Sequence, residues 1–324
     1  MRPADLISAV GPGAGAGETR QRVLLTGARG FLGSALAPVL RARGHHVAAL
    51  TRGASGPGEI RWDPVGGIVE ARALEGFAAV VHLAGEPIGV RWTAERKATI
   101  RASRVEGTRL LANRLARLER PPRVLVSVSA IGFYGDRGDE ILDEQSPPGT
   151  GFLPDLCRAW EEAAAPASSA GIRVVHPRLG LVLAPHGGAL ARMLPAFRFG
   201  LGGPPGGGRA WWSWVVLDDV VAAFLRVLGD ERLSGPVNVV APVSARSGDF
   251  ARALGKALGR PAVLPVPAFV LRALFGEMAG EALLASARVE PSRLRAAGHS
   301  FRFPDLDEAL RCLVGRAGGG RHAA

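Results

Sequence analysis

The chain has 324 residues, 47% of them hydrophobic, enough to bury the core of one large domain or two modest ones. No run of about 18 apolar residues occurs, so neither a membrane span nor a membrane partner is expected. The formal charge of +11 is scattered and almost entirely arginine, without a basic run interleaved with aromatics; this argues against a nucleic-acid partner and for anionic small molecules.

Residues 1–20 are rich in Gly, Ala and Pro and lack the apolar core of a signal peptide, so they read as a flexible extension. A buried strand follows over 23–26 and enters a turn carrying Gly27, Gly30 and Gly33. That spacing suits a dinucleotide: a tight turn, a bare backbone beside the pyrophosphate, and close helix–strand packing. A helix over 31–43 would aim the free N–H groups around Phe31 and Leu32 at the phosphates. Gly44 caps it, and a second strand over 46–50 completes a βαβ unit.

Further strands are expected at 80–85, 123–129 and 173–176, with helices over 93–118 and 153–170 between them. Such alternation predicts an α/β fold with a doubly wound parallel sheet over residues 21–185. The pattern changes near Pro185. Residues 211–243 return to the sheet region, while 186–210 and 244–314 build a smaller, mainly helical second domain, and 315–324 form a flexible tail. Cys157 and Cys312 are too few for a disulfide framework and suit a reducing cytoplasm, and no Cys/His spacing suggests a metal site.

Thr26 with the glycine turn, the turn at 82–85, and the loop from Ser129 to Tyr134 and Gly135 together resemble the extended short-chain dehydrogenase/reductases. The segments 178–183, 187–189, 199–203, 213–219, 235–238, 259–261, 265–268, 276–278 and 303–305 sharpen the likeness. In order, they resemble an NAD(P)-dependent "epimerase family" with its own C-terminal domain of unknown function, over about residues 22–314. The resemblance implies the Rossmann fold and a nicotinamide cofactor but no particular substrate.

NAD-preferring folds usually place an acid after the second strand; here the strand runs into Thr51 and Arg52, with no carboxylate until Glu59. Arg52 can grip a 2′-phosphate, Thr51 can add a hydroxyl, and Arg29 can help from the glycine turn, so NADP(H) is expected. Leu83 and Ala84 should pack near the adenosine or central ribose, with His82 structural. Arg104 matches a nucleotide-contacting arginine of the resembled family. Ser127 and Ser129 should lie near the nicotinamide, and Val182 should wall its carboxamide.

The resembled superfamily ordinarily passes a proton through a Tyr-x-x-x-Lys pair. This chain has one tyrosine, Tyr134, with Gly138 four residues later, and the helix at 152–161 contains neither residue type. Ser129 takes the place of the substrate-binding serine. Tyr134 either donates a proton from the neighbouring loop or packs. Cys157 or Arg158 can fill the lysine's space, with Glu161 structural. Trp211 and Trp212 stack on a substrate or line a domain interface, Asp219 has a structural role, and Arg192, Arg198 and Arg209 flank the cleft. Two functions follow: an NADP(H)-dependent oxidoreductase or epimerase-like enzyme on a small carbonyl or alcohol, or a non-catalytic NADP(H) sensor.

Overall fold

The alternation read from the sequence becomes a parallel sheet with helices on both faces. The computed structural model describes residues 20–53, 56–64, 66–69 and 71–318. The expected extension at 1–20 lies outside them except for Arg20. The first half contains β1 (Arg22–Thr26), α1 (Gly33–Ala42), β2 (His46–Thr51), β3 (Glu59–Asp63), β4 (Ile68–Val69), β5 (Ala79–His82), α2 (Ala94–Leu115), β6 (Val124–Ser127) and β7 (Ser129–Ala130). A 3-10 turn at Ile131–Tyr134 precedes β8 (Ile141–Leu142), α3 (Phe152–Glu162), α4 (Ala165–Ser169) and β9 (Arg173–Leu179).

Two local signals decide where helices begin. Thr93 accepts a hydrogen bond from the Arg96 amide at 3.1 Å, an N-cap worth about 1 kcal/mol, and so starts α2. The single helix expected over 153–170 is instead two, because Pro166 lacks an N–H and opens α4 at its first turn.

The second half contains β10 (Leu181–Ala184), α5 (Gly188–Arg198), β11 (Trp211–Trp212), β12 (Trp214–Val216), α6 (Leu217–Gly229) and β13 (Gly235–Val239). Then come β14 (Ala245–Arg246), α7 (Ser247–Leu258), α8 (Ala268–Phe275), β15 (Arg288–Val289), α9 (Ser292–Ala296) and α10 (Leu306–Gly318). The helical second part is as expected, but α10 continues through Gly318, into the stretch read as tail.

The sheet order is β13-β9-β6-β5-β1-β2-β3-β4, with β7 also pairing β9. Only β3–β4 is antiparallel within it. Of residues 211–243, β13 joins this sheet; β12 instead pairs β10, and β11 pairs β14. Side chains of β1 alternate between two cores. Val23 and Leu25 pack with Leu36, Leu40, Val220 and Phe224 of α1 and α6. Leu24 packs the other way, with Leu111 and Leu115 of α2. Each such leucine contributes about 1.5–3 kcal/mol, so both helical layers are held firmly.

The strand order reverses between β1 and β5, which opens a crevice at their carboxyl ends. Every candidate cofactor residue from Gly27 to Ser127 lies at or near those ends, except Arg104 on α2.

Candidate functional site

At the crevice the chain turns sharply after β1. Gly27 has φ +66°, and a Cβ there would lie 2.9 Å from the Leu83 carbonyl carbon. Gly33 lies tighter still, with room for a Cβ only 2.3 Å from the Gly27 oxygen. The turn thus rests on the Leu83–Ala84 backbone. No side chain caps the first turn of α1 and no acid stands in it, among the described residues. Its N-terminal N–H groups and positive dipole end suit an anion.

Thr26 locks this arrangement. Its Oγ1 accepts from the Leu83 and Ala84 amides, both at 3.0 Å, so its one proton points to His82 Nδ1 at 2.7 Å. His82 therefore carries its proton on Nε2, which donates to Thr108 at 3.0 Å. Burial, with nearby Arg104, pushes the imidazole down to about 4. His82 is the structural histidine the sequence suggested.

At one end of the crevice, Thr51 Oγ1 is buried without a hydrogen-bond partner among the described residues. Beside it Arg52 has a 74% exposed side chain, 3.9 Å from Glu86. Arg29, 76% exposed, pairs with Glu59 at 2.5 Å. Glu59 therefore belongs to this corner, although it follows Arg52 by seven residues. Its carboxyl is held below the ordinary range, chiefly by the Gly56 amide. The Arg104 guanidinium donates to the Glu86 carbonyl at 2.9 Å and covers the Trp160 ring. It fixes the turn that follows β5.

At the other end, Ser127 Oγ is also buried without a partner among the described residues. Three strand spacings, about 14 Å, separate it from Thr51 across β2, β1, β5 and β6. Orphaned hydroxyls at both ends and a bare anion cradle between them fit an extended dinucleotide. Gly27, Gly30, Phe31, Leu32 and Gly33 would hold its phosphates; Leu83 and Val182 are both half-buried and pack against the core around β1.

Beyond Ser127 lies a network that sequence reasoning missed. Ser129 on β7, Arg178 on β9 and Asn238 on β13 occupy one rung of the sheet. Ser129 donates to Glu161 Oε1 at 2.7 Å. Arg178 grips both oxygens of that carboxylate, through Nε and Nη2, at 2.8 Å each. Its third nitrogen donates to the Tyr134 hydroxyl at 3.0 Å, which in turn donates to Asn238 Oδ1 at 2.7 Å. The guanidinium lies 3.5 Å from the Phe133 ring centroid.

This corrects the expectation for Tyr134 as proton donor. It is 0% exposed, its hydroxyl is bonded on both sides, and burial pushes it up to about 12. Cys157 does not replace the lysine either: it is buried, and desolvation pushes the thiol up to about 12. Arg158 is exposed and pairs with Asp155. Glu161 alone of the α3 candidates reaches Ser129, and the only sequence signal was an acid on the helix where the usual pair belongs.

Both Trp211 and Trp212 are half-buried. Trp211 has the guanidinium groups of Arg246 and Arg288 over its ring and donates to Asp139. Trp212 packs edge-on to Phe250. Asp219 accepts from the Arg302 and Phe303 amides, tying the C-terminal segment to α6. Arg192 donates to the Gly89 carbonyl. Among the described residues no group of His, Cys, Asp and Glu could hold a metal ion, and no helix is long and apolar enough to cross a membrane.

Residues 23–240 match the NAD dependent epimerase/dehydratase family, and residues 266–313 match a domain of unknown function, DUF1731. The chain is 40% identical over 290 residues to an epimerase family protein of Mycobacterium leprae, covering 89% of this chain and 94% of that protein. It is similar to the crystal structure of the human epimerase family protein SDR39U1 with NADPH: TM-score 0.83, 37% identity, 91% of this chain and 99% of that one. The UDP-glucose 4-epimerase of Thermus thermophilus in complex with NAD has TM-score 0.73 and 26% identity, over 92% of this chain and 99% of that one.

Proposed function

Because the chain belongs to the NAD dependent epimerase/dehydratase family, we propose that it is an NADP(H)-dependent oxidoreductase or epimerase-like enzyme acting on a small alcohol or carbonyl compound. The observation that carries this reading is the Ser129 hydroxyl bonded to a carboxylate that Arg178 holds rigid.

The nicotinamide, when bound, exchanges a hydride with the reacting carbon. Ser129 has committed its proton to Glu161, so its oxygen is free to accept one from a substrate alcohol. As that alcohol is oxidised, its proton passes to Ser129 Oγ while the serine proton passes to Glu161 Oε1. In reduction the same relay runs backwards. Arg178 keeps the carboxylate in place for both directions. The relay supplies general acid–base chemistry without a tyrosine or lysine.

The preference for the 2′-phosphorylated cofactor is supported by Arg52 and Arg29, whose guanidinium groups are mostly exposed at the Thr51 end. The NADPH bound to the human relative points the same way. Two free cysteines suit a cytoplasmic location. The buried Tyr134 and Cys157 favour the second reading, an NADP(H) sensor that has lost its chemistry.

NADPH oxidation across a panel of aldehydes and ketones separates the two. Turnover that Ser129→Ala abolishes, with NADPH affinity retained, supports the enzyme. Tight NADPH binding with no turnover on any carbonyl supports the sensor. Turnover that survives Ser129→Ala removes the relay.

A further inference from the structure

A cavity of about 740 Å³, lined mostly by the second half of the chain, shares no residue with those assigned to the cofactor. Its walls come from the turn at 136–139, the glycine-rich loop at 205–210, the start of α7, α8, and residues 284–286. Four arginines line it, Arg209, Arg246, Arg252 and Arg272, together with three aspartates.

The aspartates are already engaged. Asp139 pairs with Arg246 at 2.8 Å and accepts from Trp211. Asp249 pairs with Arg252. Asp136 accepts from the backbone amides of Ser286 and Gly138 at 3.2 and 3.3 Å. Arg209 and Arg272 are left: among the described residues neither guanidinium has a hydrogen-bonding or ionic partner. Both are exposed at the cavity, on separate elements, the glycine-rich loop and α8.

Two unpaired guanidinium forks on one cavity are matched by an anion with more than one oxygen to offer. No aromatic ring lines the cavity among the described residues, so a nucleobase has nothing to stack on. The loop at 206–208 carries no side chains to fill the space.

We propose that this cavity is a second ligand site, for a small non-nucleotide polyanion bearing phosphate or carboxylate groups held between Arg209 and Arg272. The site does not depend on the cofactor reading, because the two share no residue. Phosphates and carboxylates offer the same oxygens to the two arginines, and their identity is decided by titration.

The experiment is calorimetric titration of the full chain with inorganic pyrophosphate, citrate and UDP. NADPH is present at saturation to cover the phosphate cradle. If NADPH does not bind, the titrations run on the protein alone, so failure of the cofactor reading is seen separately. Saturable binding of pyrophosphate or citrate is expected, and whichever binds tighter identifies the charged group. The double variant Arg209→Gln/Arg272→Gln should weaken it by about tenfold or more, and Arg209→Lys/Arg272→Lys should retain most of it. Arg198→Gln, an exposed arginine outside the cavity, should change nothing. Absence of saturable binding to the wild type overturns the site. So does an equal loss in Arg198→Gln, which would mean bulk charge alone. UDP binding much tighter than pyrophosphate overturns the non-nucleotide assignment.

Discussion

Ser129 and Arg178 are register partners on β7 and β9, and their side chains meet on one carboxylate, Glu161. On the far side of Arg178, Asn238 of β13 completes the rung and receives the Tyr134 hydroxyl. The ion pair is nearly dry, its side chains 4% and 12% exposed. Such a pair adds little net stability but is costly to break from one side. It fixes where the Ser129 proton points.

Tyr134→Phe tests whether the sole tyrosine is structural. Loss of its hydroxyl strips one bond each from Arg178 and Asn238, and should cost about 1–3 kcal/mol in urea unfolding. NADPH affinity and any turnover should be unchanged. A collapse of turnover at unaltered stability would return Tyr134 to a chemical role.

Arg52→Glu tests cofactor choice. Removing a charge-assisted bond to the 2′-phosphate and adding repulsion should weaken NADPH by about ten- to hundredfold. NADH affinity, followed by fluorescence titration, should barely move. Equal losses for both nucleotides would take Arg52 out of the 2′-phosphate site.

Gly33→Ala tests the cradle. A methyl there would sit 2.3 Å from the Gly27 oxygen and 2.6 Å from Ala28 Cα, both rigid backbone. The turn must open, at about 1–3 kcal/mol, and NADPH binding should be lost. Wild-type affinity in the variant would show that the turn does not touch the cofactor.

Asp219 should shape the pH dependence of stability. Burial, opposed by the Arg302 and Phe303 amides, raises its carboxyl from 3.8 to about 6. A folded value above the unfolded one means the folded state holds the proton more tightly. Its contribution is fully present below about pH 4 and is lost as pH rises through about 6. Asp219→Asn cannot titrate, so wild type should gain up to about 3 kcal/mol relative to it between pH 7 and pH 4. Parallel pH profiles in chemical denaturation would contradict this.

The sheet and the glycine cradle were legible because their signals are local. Apolar alternation within β1, an N-cap at Thr93 and three glycines within seven residues each act through neighbours a few bonds away. The NADP(H) expectation rested on the same kind of signal, Arg52 following β2 directly.

Tertiary structure decided what those residues do to one another. Arg178 lies 17 residues from Glu161, and Asn238 lies 104 from Tyr134, so no spacing announces either bond. Parallel pairing with right-handed crossovers sets Ser129, Arg178 and Asn238 on one rung, although three strands and two helices separate the last two. Burial then makes the chemistry: the phenol of Tyr134 and the thiol of Cys157 lose water and stay protonated, while Arg178 holds both oxygens of Glu161. Local sequence determines backbone shape, because shape follows from nearby sterics and hydrogen bonds. Charge and proton position follow from desolvation and distant partners, which exist only once the chain has closed on itself.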